Sequence, residues 1–240
     1  MTIPWREALD KATRKDLWLA GLGCFSQVVR VGDTGLVVKK SEPHPVVGDL
    51  QPVEKLIYER LGHHQFILRY YGEYHANTET PNGVPGGLVF QYLPGGKLAA
   101  SLPLSGYSEK RVGWAIQAAE AVQYIHSKSV IHSDLGSHNF LIREDRTLAL
   151  ADFGGSRIDD ISQKVSYATR YQRPLPSNEL DLMCTRKDDI FALGTVIYEI
   201  TAGHQLYPDK QSGDIRQLLL CRKFPNLEAI VSSIRTVIRK

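Results

Sequence analysis

Ile131-His-Ser-Asp-Leu-Gly-Ser-His-Asn-Phe-Leu-Ile142, followed closely by Ala149-Leu-Ala-Asp-Phe-Gly154, decides the reading of this chain. Asp134 and Asn139 stand five residues apart, and Asp152 follows in Asp-Phe-Gly. Phosphoryl transfer requires such a set. One carboxylate, Asp134, can orient an attacking hydroxyl and accept its proton. Asn139 and Asp152 are hard oxygen donors suited to Mg²⁺.

Upstream, Gly21-Leu-Gly-Cys-Phe-Ser26 precedes two β-rich runs, Val28–Val31 and Leu36–Lys39, which flank Gly32-Asp-Thr-Gly35. The second glycine cluster reads as a hairpin turn. The first lies between strands rather than opening a helix, which argues against a dinucleotide fold. Glycines there let backbone N–H groups approach an anion, although an ordinary β-turn has the same look. Lys39 ends its strand and can hold phosphate oxygens as a point charge. Alternation turns the adjacent Lys40 to the other face. Glu54, on the helix read over Val53–Leu61 with Gly62 as its stop, can orient Lys39 by an ion pair.

Composition excludes several classes. With 240 residues, 42% of them hydrophobic, the chain can bury a substantial core. Its 23% charged and 9% aromatic content is that of a globular protein rather than a disordered one. A net charge of +3 is too small to suggest nucleic acid or a membrane surface as partner. Cys24, Cys184 and Cys221 form neither a disulfide framework nor a zinc spacing. No apolar run approaches the roughly 20 residues of a bilayer span, and no signal core opens the chain. A soluble intracellular protein, in cytoplasm or nucleus, is expected. Nothing in the pattern signals oligomerisation, and a monomer is expected.

The organisation reads as α+β. Residues 1–15 are a lead-in with helical character. Short strands are expected around Ile67–Tyr74 and Leu88–Tyr92, with the polar loop Asn77–Gly87 between them. Leu93-Pro-Gly-Gly-Lys97 is the break. Beyond it, Arg111–Ser127 carries a helical stripe at Val112, Ala115, Ile116, Ala119, Val122 and Ile125. Val130-Ile-His132 and Leu148–Ala151 are β-like, residues 154–185 are loop-like, and Ile190–Ala202 has helical length and a Gly203 stop. A small β-rich lobe and a larger helical lobe follow, and ligand sites favour such junctions.

In that order, the motifs resemble those of the eukaryotic protein kinase domain, from about residue 17 to the C-terminus. The resemblance implies one bilobal domain over residues 1–240. Its N-lobe covers about 1–92, the hinge about 91–96, and the C-lobe about 97–240. The glycine loop, Leu36-Val-Val-Lys39 and Glu54 look like the kinase glycine-rich loop, lysine strand and helix-C glutamate. His63-His-Gln-Phe-Ile67 is similar to the segment that follows helix C. Leu88–Leu98 looks like the fifth strand and hinge, with Phe90 as gatekeeper. Asp189-Ile-Phe-Ala-Leu-Gly194 resembles the buried anchoring helix. Roles follow by resemblance. Asp134 is the base, Lys39 holds phosphates and pairs with Glu54, and Asn139 and Asp152 bind Mg²⁺. Gly21, Gly23 and Phe25 cover the phosphates. Val28, Val37 and Leu141 sandwich the adenine of ATP, and backbone groups of Gln91 and Leu93 meet its edge. The implied activity is transfer of the ATP γ-phosphate to a protein hydroxyl.

The chain departs from the family pattern in specific places. Ser133 replaces the arginine that pairs with an activation-loop phosphate, so switching by that route is not expected. Gly136 stands where Ser/Thr kinases carry lysine, and His138 where many tyrosine kinases carry arginine. Ser26 replaces the third loop glycine, Val37 the small residue above the base, and Leu175 a glutamate whose arginine partner is also missing. The C-lobe is expected to be shortened, and Ile234–Lys240 looks like a last helix cut short. Thr169-Arg-Tyr-Gln-Arg-Pro174 resembles the end of the activation segment in its tyrosine-kinase form. Ser/Thr specificity is favoured because such enzymes are commoner. Two other readings remain: a pseudokinase acting as a nucleotide-binding scaffold, and a small-molecule kinase.

Overall fold

The computed structural model describes residues 4–76, 83–103, 109–175 and 183–225. Most of the polar loop read over Asn77–Gly87, and the final segment Ile234–Lys240, lie outside the described residues. The chain opens with helix α1 (Pro4–Lys11) and then builds a meander of β1 (Leu17–Leu22), β2 (Ser26–Val31) and β3 (Leu36–Ser41). The β2–β3 hairpin turns at Gly32 and Gly35, whose φ values of 50° and 70° a side chain would strain. Helix α2 (Gln51–Leu61) follows, started by Pro52 and stopped by Gly62 at φ 60°. Strands β4 (Tyr70–Tyr74) and β5 (Gly87–Gln91) complete a five-stranded antiparallel sheet in the order β1-β2-β3-β5-β4.

Period-2 alternation gives this sheet two working faces. Leu36 and Val38 point to one side, where they pack with Val31, Val89 and Leu9 of α1. Val37 joins the opposite cluster with Ile57, Tyr58 and Leu88, which continues into the helical lobe. So α1 is more than a lead-in: it covers the outer face of the sheet. Trp5 lies over Gly72, where an added Cβ would come within 2.9 Å of the indole. Tyr74 Oη donates to Asp10 at 3.0 Å. Leu9 is fully buried, so Leu9→Ala is expected to cost about 2–5 kcal/mol, by lost transfer energy plus a residual cavity. Urea denaturation with an unchanged slope measures it.

The larger lobe contains α3 (Leu98–Ser101), α4 (Arg111–Ser127), β6 (Val130–Ile131), β7 (Phe140–Ile142), β8 (Leu148–Leu150), β9 (Arg157–Ile158), α5 (Arg186–Ala202) and α6 (Ser212–Leu220). Helices α4 and α5 pack on each other and carry apolar residues nearly all round, as buried helices do. The bounds of α4 are those expected, but its buried face is rotated. Trp114, Ala118 and Ala121 join Ala115, Val122 and Ile125 inside, while Val112 and Ile116 are exposed. Trp114 buries its ring because its indole N–H finds Arg146 O at 2.7 Å. Helix α5 starts at Arg186 rather than Ile190. A capping box closes its first turn, with Thr185 N–H and hydroxyl both donating to Asp188. The two-lobed α+β expectation therefore holds. Among the described residues no helix is long and apolar enough to cross a membrane.

Candidate active site

Between the two lobes lies a cavity of about 250 Å³. Its roof is the glycine turn between β1 and β2, its back wall Val37 and Phe90, and its floor Leu141 of β7. Val28 completes the apolar sandwich. Phe90 is held by the rings of Tyr58 and Tyr70, with centroids 4.8 and 5.5 Å away. Gly21 and Gly23 both line the cavity. The turn folds tightly on itself: Gly23 N–H donates to Ser26 O at 2.8 Å, and a Cβ on Gly23 would lie 3.2 Å from the Ser26 hydroxyl. In the hinge, Gln91 gives its N–H to Arg69 O at 3.0 Å, which leaves its carbonyl as the backbone group it can offer. Leu93 also lines the cavity, and its N–H has no backbone partner among the described residues.

Two of the expected site residues lie outside the cavity lining: Asp134, which borders it through Asn139 and His138, and Phe25. The Phe25 ring packs edge-on against His44 at 5.2 Å. The phenyl group finds an aromatic partner on the loop after β3, which outweighs exposure over a polar cleft.

Three charged side chains converge at the back of the cleft. β3 delivers Lys39, α2 delivers Glu54, and the loop after β8 delivers Asp152. Lys39 Nζ lies 2.7 Å from Glu54 Oε2 and 2.6 Å from Asp152 Oδ1. Burial alone would lower the Lys39 pKa, but the two carboxylates outweigh it and hold the ammonium charged. Burial pushes the Glu54 carboxyl up, against the pull of Lys39. Lys39 holds the half-exposed Asp152 below the usual carboxylate range. Lys40, by contrast, faces outward and pairs with Glu42.

The catalytic-type loop between β6 and β7 is fastened from below by buried Asp189 of α5. This carboxylate accepts the backbone N–H of His132 at 2.9 Å and of Ser133 at 3.2 Å, and faces His126 Nε2 at 2.8 Å. Ser133 is thereby held at φ 65°, a left-handed conformation costly for a non-glycine residue. Asp134 follows, its side chain one-third exposed. Asn139 turns its amide nitrogen to Asp134 O at 2.8 Å. Its amide oxygen has no hydrogen-bond partner among the described residues. The donors for a hard cation are therefore a carboxamide oxygen and the Asp152 carboxylate, and that chemistry fits Mg²⁺.

Tyr58, Leu68, Ala151 and Lys97 in the cleft were not foreseen, whereas His138 stood out in the sequence by its place in the loop. Tyr58, Leu68 and Ala151 fill the walls; they look like ordinary core positions in sequence. His138 lines the cleft with Nε2 3.6 Å from Asp134 Oδ2. Its ring occupies the place where a side chain at 136 would sit, since a Cβ on Gly136 would fall 2.4 Å from the imidazole. Lys97 also lines the cavity and acts on Asp152. Its place in the hinge motif was the available signal.

The segment from Asp152 to Pro174 crosses the front of the large lobe. β9 pairs with β6, and a 3-10 turn at Thr169–Tyr171 packs on α5. Tyr171 Oη and Ser137 Oγ both donate to buried Glu199 at 2.7 Å. Arg173 pairs with Asp188 at 2.7 Å. Ser137 thus links the loop carrying Asp134 to the end of this segment.

The cleft is roofed by a glycine turn and brings a lysine bridged to two carboxylates together with Asn139, beside Asp134. The protein kinase domain family matches residues 19–239, and the chain belongs to that family. The probable serine/threonine-protein kinase PBL22 of Arabidopsis thaliana is 27% identical over 205 residues, 78% of this chain and 52% of that protein. Aurora kinase A-B of Xenopus laevis is 32% identical over 142 residues, 58% of this chain and 33% of its own length. The probable serine/threonine-protein kinase PBL21 of Arabidopsis thaliana is 27% identical over 217 residues, 82% and 55%. The chain thus spans about half or less of the length of these relatives.

Proposed function

We propose that this chain is an ATP- and Mg²⁺-dependent protein kinase that phosphorylates serine or threonine hydroxyls. The observation that carries it is the Lys39 bridge to Glu54 and Asp152 in the same cleft as Asn139, whose amide nitrogen meets the backbone oxygen of Asp134 at 2.8 Å. Lys39 would hold the inner phosphates of ATP. The adenine would lie between Val28 and Val37 above and Leu141 below, against Phe90, with Gln91 O and Leu93 N–H at its edge. Asn139 and Asp152 would hold Mg²⁺, whose charge offsets that gathering on the phosphate oxygens. Asp134 would orient the substrate hydroxyl and receive its proton as the γ-phosphoryl group transfers in line. Catalysis is then positioning and fixed electrostatics rather than covalent chemistry.

The serine/threonine assignment draws on the names of the relatives, two of which are called serine/threonine-protein kinases. The tyrosine-like form of Thr169–Pro174 and the glycine at 136 pull the other way. Phosphoamino-acid analysis separates them. Protein incubated with labelled ATP, Mg²⁺ and a mixed protein substrate is expected to give phosphoserine and phosphothreonine. Phosphotyrosine as the main product would overturn the hydroxyl assignment.

A further inference from the structure

Tyr167 takes no part in the mechanism above, yet its side chain is buried in the segment before Thr169. Its hydroxyl lies 2.5 Å from Asp189 Oδ1. The same oxygen accepts the Ser133 N–H, and the other oxygen of that carboxylate accepts the His132 N–H. Asp189 is fully buried, so its charge depends on these donors and on His126 for solvation. Burial, reinforced by the Asp189 charge, pushes the Tyr167 hydroxyl far above its usual range. It therefore stays a donor throughout the working pH range.

One carboxylate thus serves two polypeptide segments. Through His132 and Ser133 it fixes the strained backbone that aims Asp134. Through Tyr167 it fixes the chain two residues before the Thr169–Tyr171 turn. A movement of the front segment must break the tyrosine–carboxylate bond and remove one of the donors that solvate Asp189. The carboxylate that holds Ser133 at φ 65° is then less well fixed.

We propose that Tyr167 is a positioning residue for phosphoryl transfer, coupling through Asp189 the segment that leads to Thr169–Pro174 with the loop that carries Asp134. The proposal rests on the kinase reading for its rate consequence but not for the anchor itself. The anchor is complete in the unmodified chain, so activity requires no phosphate on residues 152–174.

Tyr167→Phe removes one hydroxyl and keeps the ring. A hydrogen bond to a buried charge accounts for a factor of about ten to a hundred in an opening equilibrium. Amide hydrogen exchange by mass spectrometry should show residues 163–172 protected in wild-type protein treated with phosphatase. In the variant, exchange of that stretch should rise about tenfold or more, while that of β3 and α2 is unchanged. The kcat should fall by a similar factor with KM for ATP unchanged, a split that a general loss of stability would not produce. Equal exchange and equal kcat in the two proteins would overturn the proposal, as would activity lost on phosphatase treatment. Should the variant not fold, the wild-type stretch still decides: protection supports the anchor, and free exchange overturns it. If wild type transfers no phosphate, that failure falls on the kinase reading, and the exchange comparison still tests the anchor.

Discussion

Lys39→Met is expected to cut turnover by about 10²–10³-fold and to destabilise the chain in a pH-dependent way. The ammonium sits 2.7 Å from Glu54 and 2.6 Å from Asp152. Its removal leaves Glu54 buried without its cation, and stranding one member of a buried ion pair costs about 3–5 kcal/mol. The variant can soften this by protonating Glu54, whose carboxyl burial already pushes up. An acid whose folded pKa lies above its unfolded value contributes stability fully below the unfolded value. That stability is lost as pH rises through the folded one. The variant should therefore lose more of its melting temperature relative to wild type at pH 8 than at pH 5. Activity should fall further than stability explains, by about 10²–10³-fold, because a fixed charge at the phosphates is lost. Equal melting curves at both pH values would show that Glu54 does not depend on Lys39.

Asp134→Asn is expected to separate chemistry from binding. The substitution is nearly isosteric, and the amide can still meet the Asn139 side chain, now 3.4 Å from Asp134 Oδ2. What it removes is the proton acceptor, and loss of a positioned general base costs about 10²–10⁴-fold in rate. Nucleotide affinity should be unchanged, since the adenine walls and Lys39 are untouched. Fluorescence titration with a labelled nucleotide checks that half, and initial rates check the other. A variant that transfers phosphate at the wild-type rate would remove Asp134 from the base role.

Much of this arrangement was legible because phosphate chemistry needs particular residue types at particular spacings. The β2–β3 hairpin announced itself by glycines at the two positive-φ positions. The α4 bounds were readable because the apolar stripe runs uninterrupted from Arg111 to Ser127. Its burial was not, because Trp114 competes with Val112 and Ile116 for the core, and only the neighbour Arg146 decides the contest. The start of α5 was misplaced because a capping box of Thr185 and Asp188 extends it over a charged, loop-like stretch. The strand expected from Ile67 begins only at Tyr70. Ile67 instead closes a turn on His64 and bridges to Leu150 of the large lobe. The tethering of Asp134 by Asp189 and Glu199 joins residues more than fifty positions apart, which no local pattern reports. The packing of Phe25 on His44 is hidden for a similar reason, since its partner lies across a loop.

The central claim is that Lys39, Glu54, Asp134, Asn139 and Asp152 form a working phosphotransfer site. The most direct measurement follows label from γ-labelled ATP into a mixed protein substrate, with Mg²⁺, for wild type and Asp134→Asn side by side. The account predicts steady incorporation by wild type, lost on chelation of Mg²⁺ and reduced at least about a hundredfold in the variant. No incorporation above the variant, from folded wild-type protein that binds nucleotide, would contradict it and leave a nucleotide-binding scaffold.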